Sequence, residues 1–345
     1  MRILAIKTHA TGDLLLTTPA LRALRRGFGN ADLTLLTGRA NVEVARCLPG
    51  ISAVIFVDEY ALLQRKPAAL YNLYKNVKRA GADRVVSFHA AAKLNRIISW
   101  AKAPLFAPFA DETPRRYLAG GARWRPMADK YIAQNYVEVA AAAGGVADGL
   151  HLDFVIPDDV PKAREITGLK GRKKYVAVAP GGGLNPREAV VAKVPPESLF
   201  VELIDLITAE TGRPVVLLGG PGDVERCAAV AAKARRQIVN LAGRTSVAEA
   251  GRVIAGAAYL VTVDSLPMHL AVALGKSTLG LFTASKAAAL LPPGGPVTAV
   301  AAQLECAPCY ANSPFPRCRR PFKYECRERI PFALIKEFIL KKEKS

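Results

Sequence analysis

Residues 257–275 run Ala257-Ala258-Tyr259-Leu260-Val261-Thr262-Val263-Asp264-Ser265-Leu266-Pro267-Met268-His269-Leu270-Ala271-Val272-Ala273-Leu274-Gly275. The run up to Val263 predicts a buried strand, and Leu270 to Gly275 predicts a helix ended by glycine. Asp264, Ser265 and His269 therefore put a carboxylate, a hydroxyl and an imidazole where a strand gives way to a helix. Free backbone N–H groups and the positive end of the helix dipole gather at such a junction, which suits a bound phosphate. A lone helix histidine is usually structural. Three polar groups beside one apolar strand call for a shared reason.

The same alternation runs outward in both directions. In the first half Arg2–Lys7, Asp32–Thr37, Ala53–Val57 and Arg84–Ser87 predict strands. Leu15–Phe28, with Pro19 in its first turn, Pro67–Ala80 and Lys130–Ala143 predict helices. The stretch from Pro157 to Lys174 changes texture, with prolines, glycines and a charge-rich run, and the alternation then restarts. Strands at Tyr175–Ala179, Val215–Leu218 and Ile238–Asn240 alternate with helices at Ser198–Thr211, Val224–Ala234 and Val247–Ala255. Such order implies parallel strands with crossover helices. Two α/β domains are expected, 1–160 and 161–345, with ligands bound at the carboxyl ends of strands in a cleft between them.

A chain of 345 residues is long enough for two full cores, and 51% hydrophobic against 22% charged content excludes a disordered chain. The net charge of +19 favours an anionic partner: nucleic acid, an acidic membrane surface or a phosphorylated substrate. The apolar start, Met1 to Ile6, is too short for a signal sequence, and no run reaches the roughly 18 apolar residues of a membrane span. A cytoplasmic chain is expected, peripherally placed at a membrane surface.

Three more strand ends carry polar or glycine-rich loops. Gly12-Asp13 precedes the first helix; Gly12 permits close approach or a positive φ, and Asp13 is either a helix cap or a base. Pro180-Gly181-Gly182-Gly183 leads to Lys193, a counter-charge for phosphate, but lacks the Gly-Lys-Ser/Thr ending of a Walker A loop. Gly219-Gly220-Pro221-Gly222 leads to Asp223 and Glu225, either of which suits ribose hydroxyls; a plain helix start is the bland alternative.

With these pieces in order the chain resembles glycosyltransferase family 9, the heptosyltransferases of lipopolysaccharide inner-core assembly, over most of its length. Asn240-Leu241-Ala242-Gly243-Arg244-Thr245-Ser246 belongs to the same likeness. The resemblance implies a GT-B fold, two Rossmann-like α/β domains with parallel sheets facing across a cleft, an acceptor domain followed by a nucleotide-sugar domain. It implies inverting transfer from an ADP-heptose-type donor; a fixed cationic site can replace the usual metal ion, so no catalytic metal is expected. Asp13 then looks like the catalytic base, Lys193 the diphosphate partner, Asp264 a ligand of donor sugar hydroxyls, Ser265 and His269 neighbours of the diphosphate, and Glu225 a ribose ligand. Gly181 and Gly182 line the donor and Gly12 the acceptor. The chain departs from the family at Leu266 and Val194, where Gly and Trp are usual, and at Thr283-Ala284, where Gly-Pro is usual. A different donor or a non-catalytic paralogue is the alternative within the family.

Arg65, Lys66, Lys75, Lys78, Arg79, Arg115, Arg116, Arg123 and Arg125 suit an acidic glycolipid at the inner leaflet, Arg65, Lys66, Arg115, Arg116 and Arg123 being the chosen acceptor ligands; Tyr71 and Tyr74 suit the interface. Each alone reads as a solvated base. Cys306, Cys309, Cys318 and Cys326 have the form C-x2-C-x8-C-x7-C, open to a structural zinc, to reduced thiols in a loop, or to a redox role. A basic zinc-containing nucleic-acid binder explains the charge and the cysteines but not the strand-end motifs. A dinucleotide oxidoreductase lacks its G-x-G-x-x-G after the first strand.

Overall fold

A computed structural model describes residues 1–29, 31–109, 117–123, 130–170, 173–183, 190–236, 238–310 and 317–344. The chain divides into two compact units, Met1–Val155 and Ile156–Ser345, against the expected division after residue 160.

The first unit holds strands β1 (Arg2–Lys7), β2 (Asp32–Gly38), β3 (Ala53–Val57), β4 (Arg84–Ser87) and β5 (Leu105–Phe106). Its helices are α1 (Thr11–Leu16), α2 (Thr18–Phe28), α3 (Val42–Arg46), α4 (Glu59–Leu63), α5 (Pro67–Ala80), α6 (Ala92–Ser99) and α7 (Ile132–Ala142). All strand pairs are parallel, in the order β3-β2-β1-β4-β5. Ile3 to Ile6 of β1 are fully buried, as a central strand covered on both faces must be.

The second unit holds β6 (Val176–Ala179), β7 (Val215–Leu217), β8 (Ile238–Asn240), β9 (Leu260–Val263), β10 (Thr278–Phe282) and β11 (Val297–Ala301). Its helices are α8 (Ala163–Thr167), α9 (Glu197–Thr211), α10 (Val224–Lys233), α11 (Val247–Gly256), α12 (Leu266–Ala273), α13 (Ala287–Leu290) and α14 (Phe332–Lys344). The strands again pair in parallel, in the order β11-β10-β9-β6-β7-β8. Their core joins Val178, Val261, Phe200 and Leu281 to Ile335 and Ile339 of α14.

Strand order reverses between β1 and β4 in the first sheet and between β6 and β9 in the second. Successive connections leave in opposite directions at such a point, and their loops part to open a crevice at the carboxyl ends. Asp13 follows β1, Gly181 follows β6 and Asp264 follows β9, so the candidate residues fall on these two points.

One predicted helix divides. Leu15–Phe28 is the end of α1 and the whole of α2, parted at Thr17. Pro19 has no N–H for the Leu15 carbonyl, and the Thr18 hydroxyl takes that acceptor at 2.8 Å while Thr17 bonds Leu14 at 2.6 Å. The strand expected from Ala257 begins only at Leu260, because Ala257 still closes α11 on the Ile254 and Val253 carbonyls.

Candidate active site

Asp13 lies inside α1 rather than at its cap; the N-cap is Ala10, which also takes the positive φ of 65° expected near Gly12. Gly12 is an ordinary helical residue. Its neighbour's carboxylate is engaged instead by Lys7, the last residue of β1, at 2.9 Å. Lys7 is buried, and its ammonium also donates to the Tyr136 hydroxyl at 3.2 Å. Burial would lower the Lys7 pKa, but the charge of Asp13 and the bonds to Asp13 and Tyr136 outweigh it and raise the value. Burial pushes the Tyr136 phenol up to about 12 against the pull of Lys7. Sequence reasoning missed Lys7 and Tyr136; the one local signal was a lysine ending an apolar strand.

On the same edge His89 follows β4 and stacks on His9 with ring centroids 4.7 Å apart. The Nε2 of His89 accepts the Thr8 N–H at 2.9 Å, so in the neutral ring Nδ1 carries the proton. Arg65 and Lys66 are exposed just before α5, and Arg123 is exposed on an isolated bridge to Phe109. Arg115, Arg116 and Arg125 lie outside the described residues.

In the second unit Lys193 closes a short 3-10 turn, Val190–Lys193, and reaches the buried carboxylate of Asp264 at 3.1 Å. Ser285 donates to the same carboxylate at 2.6 Å. Burial works to raise the Asp264 pKa, but Lys193, the Ser285 hydroxyl and His269 together hold it below the usual carboxylate value. The Tyr310 ring covers the Lys193 ammonium at 4.7 Å. Tyr310 itself is held by backbone bonds from its N–H to Ala284 at 2.9 Å and from Lys286 N–H to its carbonyl at 2.7 Å. Ser265 is the N-cap residue of α12, and His269 lies buried one turn in.

The two glycine-rich loops are joined by Asp223. Its carboxylate accepts from Gly183 N–H and Gly220 N–H, each at 3.0 Å. A Cβ on Gly181 would stand 2.0 Å from Asp223 Oδ1, so glycine is required there for closeness rather than for φ. Gly182 is half-buried in the same loop. Asp223 is thus committed to backbone, while Glu225 is exposed in the first turn of α10.

The departures from the family pattern have local explanations. Thr283 donates its buried hydroxyl to the Ala192 carbonyl and so ties the Lys193 turn to the end of β10. Val194 packs in the core of the second unit, and its carbonyl accepts from Arg327 at 2.7 Å. Leu266 opens α12 in a half-buried position.

Cys306 and Cys309 are exposed, Cys318 is half-buried and accepts the Tyr324 N–H at 3.4 Å, and Cys326 is buried in the core. Among the described residues no three His, Cys, Asp or Glu side chains converge as a set that could hold a metal ion. Burial, then the neighbouring thiols, push Cys326 up to about 11; burial, then the charge of Asp223, pushes Cys227 up to about 12.

The family model of glycosyltransferase family 9 (heptosyltransferase) matches residues 70–316, most of the chain. The chain belongs to that family. This heptosyltransferase-family chain is 23% identical to lipopolysaccharide heptosyltransferase 3 of Escherichia coli over 285 residues, 79% of the chain and 81% of that relative. It superposes on E. coli ADP-heptose lipopolysaccharide heptosyltransferase II with a TM-score of 0.72, 18% identity and full coverage of both chains. The E. coli heptosyltransferase WaaC with ADP gives a TM-score of 0.65 at 18% identity, covering 100% of this chain and 98% of that one. The fold is GT-B, and the protein is a glycosyltransferase, an enzyme of heptose transfer in lipopolysaccharide biosynthesis. Among the described residues no helix is long and apolar enough to cross a membrane.

Lys7→Met is expected to cost about 2 kcal/mol at neutral pH, since it removes a charge-assisted bond to Asp13. The raised Lys7 pKa stabilises the fold fully below the unfolded lysine value, roughly 10.4, and that contribution is lost as pH rises through the folded value. Urea midpoints should therefore differ most between wild type and variant near neutrality and converge in strong alkali; a constant difference contradicts the pairing.

Thiol accessibility is expected to follow exposure and thiolate fraction. Iodoacetamide labelling read by mass spectrometry should mark Cys306 at least about ten times faster than Cys326 or Cys227. Equal protection of all four C-terminal cysteines, relieved by a chelator, would show a bound metal and contradict that order.

Proposed function

We propose that the enzyme transfers heptose from an ADP-heptose donor to an anionic lipopolysaccharide inner-core acceptor in one inverting displacement. The observation that carries the reading is the ion pair of Lys193 with the buried Asp264 at the N-terminus of α12, at the point where the second sheet reverses its strand order. A half-buried ammonium beside a helix N-terminus is suited to a diphosphate, and a carboxylate to sugar hydroxyls. Glu225 bonds the ribose and Gly181 and Gly182 let the backbone approach.

Asp13 removes the proton from an acceptor hydroxyl. The oxygen attacks the anomeric carbon, the bond to the diphosphate breaks on the opposite face, and ADP leaves. Lys193, the N–H groups at Ser265 and the α12 dipole meet the charge growing on the leaving group. Lys7 holds Asp13 in place between turnovers, and the first-unit cations Arg65, Lys66 and Arg123 are the acceptor's counter-charges. The reaction is placed in the cytoplasm at the inner face of the membrane, in keeping with the net charge of +19. A fixed cationic site of this kind can stand where other transferases use a divalent ion.

Product formation from ADP-heptose and a core acceptor, read by mass, is expected in the wild type and to persist in EDTA. Asp13→Asn should lower kcat by at least about a hundredfold while ADP affinity stays near wild type, as loss of a general base does. Undiminished turnover in Asp13→Asn refutes the base, and absence of product with every ADP-heptose refutes the donor.

A further inference from the structure

Between Tyr60 and Phe109 the chain carries nine lysines and arginines, and a single acid, Asp83. Asp83 accepts the Arg2 N–H at 2.8 Å, and Arg84 turns inward to the Ala143 carbonyl at 2.7 Å. The remaining eight cations belong to α5, α6 and the residues flanking them. Both helices pack on one face of the first sheet. Leu73 and Val77 of α5 and Ile98 of α6 share a core with Leu4, Ile6 and Val85. Their outward sides therefore lie next to each other.

That outer surface interleaves cations with exposed aromatic rings. Tyr71 is 60% exposed and Trp100 55%. The Lys75 ammonium lies 5.4 Å from the Tyr71 ring, Lys78 lies 5.9 Å from Tyr74, and Arg96 lies 5.9 Å from Trp100. Tyr71 and Tyr74 stand 6.4 Å apart, and Lys93, Arg79 and Lys102 are exposed around them.

This patch is separate from the reacting end. α5 starts after the carboxyl end of β3 and runs back toward the start of β4, whereas Asp13 follows the carboxyl end of β1. Lys78 is twelve residues beyond Lys66, which at 1.5 Å per helical residue is about 18 Å along the axis. A hydroxyl presented to Asp13 does not bring its own saccharide to Lys78.

We propose that the joint outer face of α5 and α6, bearing Tyr71, Lys75, Lys78, Lys93, Arg96 and Trp100, docks on a bilayer with anionic headgroups. Two helices lying on a sheet give a broad face that matches a planar surface. The lysine and arginine heads meet lipid phosphates while their stems lie along the acyl boundary. Tyr and Trp rest at headgroup depth, where an apolar ring with a polar tip is at home. Duplex nucleic acid would engage the cations but leave Tyr71 and Trp100 in water. The inference stands on the first unit alone and does not depend on the donor or on Asp13.

The test is sedimentation of the full chain with vesicles of pure phosphatidylcholine and of phosphatidylcholine mixed with phosphatidylglycerol, at low and high salt. Binding is expected only to the anionic vesicles, weakening as salt rises. The variant Lys75→Glu/Lys78→Glu/Arg79→Glu should lose at least about tenfold in partitioning while keeping the wild-type melting curve. Trp100→Ala, which alters one exposed ring, should also weaken binding with the salt dependence retained, and it serves as the readout should the triple variant not fold. Equal binding to neutral vesicles, wild-type binding by both variants, or preference for a DNA duplex over anionic vesicles at equal phosphate would overturn the proposal.

Discussion

Parallel pairing of buried strands is the constraint on which the rest depends. Each unit threads its strands in one direction, so every loop that enters a helix leaves from the same edge. Where the order reverses, at β1/β4 and at β6/β9, the loops part and the backbone there is free to meet a ligand. Each reversal point holds a carboxylate gripped by a lysine: Asp13 by the buried Lys7, and the buried Asp264 by the half-buried Lys193. The charge of Asp13 offsets what burial costs the Lys7 ammonium.

The two pairs differ in their surroundings, and this divides their roles. Asp13 keeps about a quarter of its side chain exposed, and the stacked His9 and His89 follow neighbouring strands of the same sheet. Asp264 is buried and fastened further by Ser285. Its lysine is covered by Tyr310 and its turn is tied down by Thr283. The second unit is thus arranged around a fixed cation, as suits a group that binds charge rather than one that moves a proton.

Much of this was legible in the sequence, because strand-to-helix junctions have local signals. The β9–α12 junction, the glycine loops after β6 and β7, and Lys193 could all be found from apolar runs broken by glycine, proline and single charges. What could not be read were pairings between distant segments. Nothing near Lys193 announces Asp264, and nothing near Asp223 announces that its carboxylate closes on Gly183 across a neighbouring strand end. Lys7 reads as a solvated strand end until Asp13 and Tyr136 are seen around it. Thr283 reads as the loss of a family Gly-Pro, yet its hydroxyl supplies a bond that glycine and proline cannot. The cysteine spacing gave no sign that Cys326 is buried in the core while Cys306 and Cys309 are exposed.

The central claim is that the Lys193–Asp264 junction holds a nucleoside diphosphate. Calorimetric titration of ADP into the wild type and into Lys193→Met tests it most directly. The account predicts saturable one-to-one binding by the wild type and at least about a tenfold loss in the variant, the worth of one charge-assisted contact. Equal affinity in the two proteins, or no binding by either, would contradict it.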